Sequence, residues 1–102
     1  LHEAEVIVKT ENVRVRVMSL SPHELADWHY HTQVTDDIFC LDGEILVCMQ
    51  EPDEEMYLSP GQRVRVEPRR NHQLENLNDE VAAYLLVQGI GKYDFNRVNP
   101  KE

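Results

Sequence analysis

Positive charge, glycine, cysteine and long apolar runs are all scarce in this sequence, and each shortage excludes something. Lys plus Arg number 10 against 19 for Asp plus Glu, a formal net charge of −9 with His neutral. A surface of that sign repels a phosphate backbone, so no nucleic-acid partner is expected. No stretch approaches the ~18 apolar residues of a membrane-spanning helix, and no signal-peptide pattern opens the sequence. No membrane association and a cytoplasmic location follow as expectations. Four glycines and five prolines are too few for a collagen-like or disordered chain. The two cysteines, Cys40 and Cys48, do not make a disulfide scaffold and are expected to be reduced.

What remains is 102 residues that are 41% hydrophobic and 28% charged, the balance of a globule with one core. A single domain over residues 1–102 is expected. Its dominant signal is period two. Val13, Val15 and Val17 alternate with Arg14 and Arg16, which predicts a strand with an aliphatic inner face and a cationic outer one. Val64 and Val66 alternate with Arg63 and Arg65 in the same way. Asp37 to Leu41 and Glu44 to Met49 flank Asp42-Gly43, which reads as a two-residue hairpin. In that hairpin Cys40 faces Ile45 and Cys48 faces Asp37, so the thiols lie on opposite faces and no disulfide joins them. Ile38, Cys40, Ile45, Val47 and Met49 then share the Asp36 face. Val81 to Val87 is a further strand, ended by Gly89 and Gly91.

Turns separate these segments at Ser21-Pro22, Glu51 to Glu55, Ser59-Pro60-Gly61 and Asn76 to Asp79. Strands about every ten residues, without a helical stripe, indicate an all-β antiparallel sandwich or barrel. The polar tail, residues 92–102, is expected to wrap the outside or fray.

The chemistry lies in the histidines, of which there are five. His29 and His31 sit two apart in Trp28-His29-Tyr30-His31, so in a strand both point to one side. His72 lies far along the chain, and Asp36 and Asp37 open the strand after His31. A fold that gathers these strands offers three nitrogens and one carboxylate oxygen. That set suits one divalent transition metal: Fe, Mn, Co, Ni or Zn. The bland alternative is a set of polar residues on solvated strands and loops. His2 and His23 have no partner pattern and are assigned to the surface.

The placement of these residues resembles the cupins, small double-stranded β-helix or jelly-roll barrels with two sequence motifs, here of the small single-domain, conserved-barrel type. The first motif is Gly, five residues, His-x-His, three or four residues, Glu, six residues, Gly. Residues 24–43 show His29-x-His31, four residues, Asp36, six residues, Gly43. The second motif is Gly, five residues, Pro-x-Gly, two residues, His, three residues, Asn. Residues 61–76 show Gly61, ten residues, His72, three residues, Asn76. His23 replaces the leading Gly, Asp36 replaces Glu, and the second motif's Pro and inner Gly fall at Glu67 and Arg69. The resemblance implies His29, His31 and His72 as metal ligands, with Asp36 as the fourth. Because Asp is one carbon shorter than Glu, three roles stay open for Asp36: direct ligand, ligand through water, or hydrogen-bond acceptor from a ligand histidine. Asp37 is a rival on the opposite strand face.

The resemblance implies two kinds of function. One is a mononuclear metalloenzyme acting on a small organic molecule, of dioxygenase, isomerase, decarboxylase or lyase type. The other is a non-catalytic sensor or accessory barrel that binds a small ligand or metal. A degenerate barrel with relic histidines is the structural alternative. Trp28, Tyr30 and Phe39 are expected to point outward, onto a second sheet or a homodimer interface. Gln33 and Gln88 are candidates for hydrogen bonds to a substrate. Asp53-Glu54-Glu55 reads as a solvated turn, and Asn76 as a support for the turn near His72.

Overall fold

Alternating side chains place most of this chain in strands. The computed structural model describes residues 1–98. Among these are β1 (His2–Lys9), β2 (Arg14–Leu20), β3 (His29–Tyr30), β4 (Thr35–Asp42), β5 (Ile45–Met49), β6 (Glu54–Leu58), β7 (Arg63–Val66), β8 (His72–Glu75), β9 (Ala82–Gly89) and β10 (Asn96–Arg97), and no helix. They form two five-stranded sheets ordered β1-β2-β9-β4-β7 and β10-β3-β8-β5-β6. Every pairing is antiparallel. This is the expected all-β jelly roll. No helix of the described residues is long and apolar enough to cross a membrane.

The inner faces enclose the core. On β4, Asp36, Ile38 and Cys40 are buried while Thr35, Asp37 and Phe39 are half-exposed. On β9 the buried set is Ala82, Tyr84, Leu86 and Gln88. Ile45, Val47, Met49, Leu58 and Leu74 meet them from the second sheet. Four inward rows run from polar to aliphatic: Arg16 to Leu20 on β2, Asp36 to Cys40 on β4, Gln88 to Ala82 on β9, His72 to Leu74 on β8. Register aligns the polar ends, since Gln88 pairs with Arg14 on one side and with Asp36 on the other. One end of the barrel is therefore filled by hydrocarbon, and the other collects titratable groups.

Several sequence expectations change. On β2 the faces are reversed: Arg16 is 9% exposed, and Val15 and Val17 are only half-buried. Arg16 pairs with Leu86, which faces inward, whereas Val15 and Val17 pair with the outward Val87 and Leu85. Period two separates two faces without saying which is inside. The guanidinium is accommodated because it donates to Gln88 Oε1 at 2.8 Å and to Glu3 Oε1 at 3.3 Å.

Asp42-Gly43 does not close a hairpin, because β4 and β5 belong to different sheets. Such a hairpin needs positive φ at both turn residues, and only Gly43 has it, at 77°. A Cβ on Gly43 would lie 3.1 Å from Ala82 Cβ, so the crossover lies tight against β9. Cys40 therefore faces Tyr84 on β9, and Cys48 sits between Glu55 and Gln73. Both thiols are free, as expected, though for a different geometric reason. Glu54 and Glu55 are not turn residues either: they open edge strand β6.

The outward aromatics also divide. Phe39 lies on the first sheet, and Tyr30, preceded by Trp28, lies on the second, so the three form no common patch. The tail does more than wrap the outside, since β10 joins β3 and the residues before it cover the polar end of the barrel. Residues 99–102 of that tail lie outside the described residues.

Asn76 holds the turn after β8, as its place in the sequence suggested. It is fully buried, and its Nδ2 lies 3.2, 3.1 and 2.7 Å from the carbonyls of Leu20, Ser21 and Glu80. Its Oδ1 accepts the Asn78 N–H at 3.0 Å. Asn76→Ala should lower the free energy of urea unfolding by about 2–3 kcal/mol, because it leaves buried backbone groups dry. Asn76→Asp should not rescue it, because a carboxylate has no donor for those carbonyls.

Candidate metal centre

The site forms where the two sheets meet at the polar end. His29 on β3 pairs directly with His72 on β8, which sets two imidazoles side by side on one inner face. His31 follows at the end of β3, and Asp36 approaches from β4 in the opposite sheet. All four are at least nine-tenths buried, at 5%, 3%, 3% and 1% exposure for His29, His31, Asp36 and His72. One potential ligand atom from each lies within 4.8 Å of all the others. Strand alternation thus brings together the four residues that the sequence singled out. Asp37 is excluded: it faces outward and accepts two bonds from Arg65, at 3.0 and 3.2 Å.

Each histidine is held by its other ring nitrogen. His29 Nδ1 donates to the Asp27 carbonyl at 2.9 Å, His31 Nδ1 to the Asp94 carbonyl at 2.6 Å, and His72 Nδ1 to the Arg70 carbonyl at 2.9 Å. A carbonyl only accepts, so Nδ1 carries the proton and Nε2 of the neutral ring presents a lone pair. Asp36 Oδ2 lies 3.1 Å from both His31 Nε2 and His72 Nε2. Lone pairs at that separation repel unless a proton or a cation lies between them. Three imidazole nitrogens and one carboxylate oxygen in a dry pocket fit a borderline divalent transition ion.

The titration behaviour follows from burial and proximity. Burial, with the nearby His72 and His31 adding to it, pushes His29 down to about 4. For His31 burial acts downward but is outweighed by its bond to Asp36, so its pKa is raised. For Asp36 burial acts upward but is outweighed by bonds from His31 and His72, which hold the carboxyl well below the usual range. Tyr84 is pushed up, by burial first and then by the charge of Asp36, so its hydroxyl stays protonated.

A cavity of about 140 Å³ adjoins the four donors, with Met18, Leu86, Tyr93 and Phe95 in its apolar wall and Arg16 and Gln88 among its polar lining. Gln88 is therefore at the site, whereas Gln33 is exposed and accepts the Lys92 N–H instead. His2 and His23 lie outside the site, beside Glu24 and Asp79 respectively.

Sequence reasoning missed Arg16, which it placed on the outside, and the segment Tyr93-Asp94-Phe95. The Phe95 ring stacks on His29 with centroids 4.4 Å apart, and Tyr93 lies 5.4 Å from His31. The Arg14 guanidinium covers Tyr93 at 3.9 Å. Asp94 accepts from Thr32 N at 2.8 Å and Thr32 Oγ1 at 2.6 Å, fixing the carbonyl that holds His31. The signal was present: Tyr93 and Phe95 alternate in an otherwise polar tail.

The metal-free protein should lose stability on the acid side through His29 and on the alkaline side through His31. Between pH 6.5 and about 4 the unfolded chain protonates His29 while the folded chain does not, so stability falls as pH falls. Above pH 6.5 the folded chain retains the His31 proton longer than the unfolded chain, so stability falls as pH rises through the raised pKa. Urea unfolding in chelator across pH 4–9 should show both limbs. His29→Ala should shrink the acid limb, leaving the part that belongs to Asp36, and keep the alkaline one.

The chain matches the cupin domain family over residues 16–88. No curated protein matches it. Among solved structures it is similar to an uncharacterized conserved protein with a double-stranded β-helix domain from Klebsiella pneumoniae, with TM-score 0.81 and 19% identity over 96% of this chain and 85% of that one. An RmlC-like cupin family protein from Methanocaldococcus jannaschii gives TM-score 0.72 and 22% identity over 84% and 77%. Oxalate oxidase gives TM-score 0.78 and 15% identity over 85% of this chain, but this chain spans only 46% of that one. At such identities these structures bear on the fold alone. With the family match, the motif spacing and the double-stranded β-helix in agreement, the chain belongs to the cupin family.

Proposed function

We propose that residues 1–102 act as one cupin domain that binds a single divalent transition metal through His29, His31, His72 and Asp36. We further propose that it acts as a metal-dependent enzyme on a small organic molecule. The observation that carries the metal reading is the orientation of the ligand atoms. Backbone carbonyls fix three Nδ1–H groups, so three Nε2 lone pairs converge with Asp36 Oδ2 in a buried pocket. Four protein donors on an octahedral ion leave two positions for exogenous ligands, which sets such a site apart from a closed structural one. A bound ion would supply Lewis-acid polarisation of substrate oxygens. The chain's own residues would shape the pocket and keep it dry, with Phe95 and Tyr93 over the histidines and Met18 and Leu86 along the wall.

One observation favours the second reading, a sensor or accessory barrel that binds without turnover. Beyond the four donors, the titratable side chains lining the cavity are Arg16, Tyr84 and Tyr93. None is a free carboxylate or imidazole, and Tyr84 is held protonated. An enzyme built here would draw its acid–base chemistry from the metal site itself. A dioxygenase, isomerase, decarboxylase or lyase meets that condition where a metal-bound group moves the proton.

A cytoplasmic homodimer remains part of this reading. Its contact would use the outer face of the first sheet, where Val15, Val17, Phe39, Leu85 and Val87 are half-buried, rather than an aromatic trio. Light scattering should report twice the chain mass, and a monomer would remove the dimer.

Protein purified without a metal-affinity tag should carry close to one transition-metal ion per chain by elemental analysis. His29→Ala and His72→Ala should each lose most of it. Adding metal at ~100-fold above its dissociation constant should stabilise the fold by about 2.7 kcal/mol. No bound ion after incubation with Fe(II), Mn(II), Co(II), Ni(II) or Zn(II) at neutral pH would overturn the reading. Metal-dependent turnover of a small-molecule panel favours the enzyme, and ligand-induced stabilisation without turnover favours the binder.

A further inference from the structure

Gln88 has no assigned role in the metal site, yet it is only 2% exposed and touches the site directly. Its Nε2 donates to Asp36 Oδ1 at 3.0 Å, and its Oε1 accepts from Arg16 NH2 at 2.8 Å. We propose that Gln88, oriented by Arg16, is a positioning residue for the metal centre. It commits one oxygen of Asp36 to the protein and leaves the other as a single donor to the ion. This inference rests on the metal-binding reading above and specifies how the carboxylate takes part.

The argument begins with register. Gln88 is the direct partner of Asp36 on β4, so their side chains share the inner face as neighbours. Asp36 Oδ1 then faces Gln88, and Oδ2 faces His31 and His72. The division is enforced chemically. A guanidinium has donors and no acceptor, so Arg16 can bond only the oxygen end of the Gln88 amide. The NH₂ end is therefore turned toward Asp36, and it can bond only an acceptor oxygen. Arg16 is itself fixed at its far side by Glu3 Oε1 at 3.3 Å. The result is a directional chain from the edge strand to the ion: Glu3, Arg16, Gln88, Asp36.

Asp36 needs such a partner because of its length. Its backbone is fixed between β9 and β7, and Asp is one carbon shorter than the Glu of the family motif. Without Gln88 the carboxylate is free to rotate about its last bond, and either oxygen or both can turn toward the histidines. With Gln88 in place, Oδ1 is held on the side away from the histidines, so bidentate binding requires the carboxylate to turn against that bond. A carboxylate held to one oxygen keeps more of the ion's coordination sphere open for an exogenous ligand.

The test uses Co(II) as the probe, followed by its visible absorption and by chelator competition on the full chain. Wild type should bind one Co(II). Gln88→Met keeps the volume and removes both polar ends. It should weaken Co(II) about 10–100-fold and also shift the ligand-field bands at saturation, because the donor set rearranges. Arg16→Met frees the Gln88 amide to turn and should give the same spectral shift with a smaller loss of affinity. Arg16→Lys keeps a donor toward Gln88 Oε1 and should restore the wild-type spectrum. Should Gln88→Met fail to fold by circular dichroism, the two Arg16 variants carry the test. Wild-type affinity and spectrum in Gln88→Met would overturn the proposal. So would weaker binding with an unchanged saturated spectrum, which marks a merely structural loss. Absence of Co(II) binding by wild type would instead overturn the metal reading, and this inference with it.

Discussion

The buried carboxylate of Asp36 is the constraint around which this barrel is arranged. An isolated carboxylate cannot sit in a dry interior without compensation, and here nothing compensates it through solvent. Its two oxygens are surrounded by His31, His72 and Gln88, drawn from both sheets. Each partner needs its own support. The histidines are fixed by the carbonyls of Asp94 and Arg70, and the glutamine is fixed by Arg16, which leans on Glu3. One charge in the centre thus explains polar side chains in rows where hydrocarbon would otherwise be expected.

The rest of the fold makes that arrangement possible. The aliphatic end of each inward row supplies the buried area that favours folding, with each fully buried aliphatic side chain worth ~1.5–3 kcal/mol. The polar end collects groups that would oppose folding if left unpaired. The crossover at Gly43 sends β5 into the facing sheet, and β5 in turn holds β8 and its His72 opposite β4. Hydrophobic burial at one end and polar convergence at the other are separated along β2, β4, β8 and β9, so neither disturbs the other.

The reading from sequence succeeded where local chemistry is decisive. His-x-His in an extended segment fixes two imidazoles on one side, and the resemblance to the cupin motifs added Asp36 and His72, which the fold brings to the same cluster. Alternation gave the right faces on β7, where Arg63 and Arg65 have no interior partner and stay outside, and on β4, where Asp36 shares its buried face with Ile38 and Cys40. It failed on β2, since Arg16 and Val15 exchange places once a distant Gln88 accepts the guanidinium, and nothing near position 16 reports that partner. The Asp42-Gly43 hairpin failed for a related reason. The dipeptide fixes that the chain bends, but whether it bends within a sheet or between sheets is set by β9, forty residues later in rough terms. Tyr93 and Phe95 were hidden in a polar tail, and their role emerges only when β10 pairs with β3.

The position of β9 in the sheet order has a consequence for how the protein is made. In the first sheet β2 and β4 do not touch each other; β9 lies between them and pairs with both. The Arg16–Gln88 bond accordingly spans 72 positions of sequence. During synthesis, β2 and β4 therefore emerge with open edges and apolar rows and wait for β9, which is made after both. Long-range closure of this kind is slow, and the waiting edges are templates for pairing with other chains. The arrangement that gives the finished barrel its interlocked centre leaves the growing chain exposed until β9 has been made.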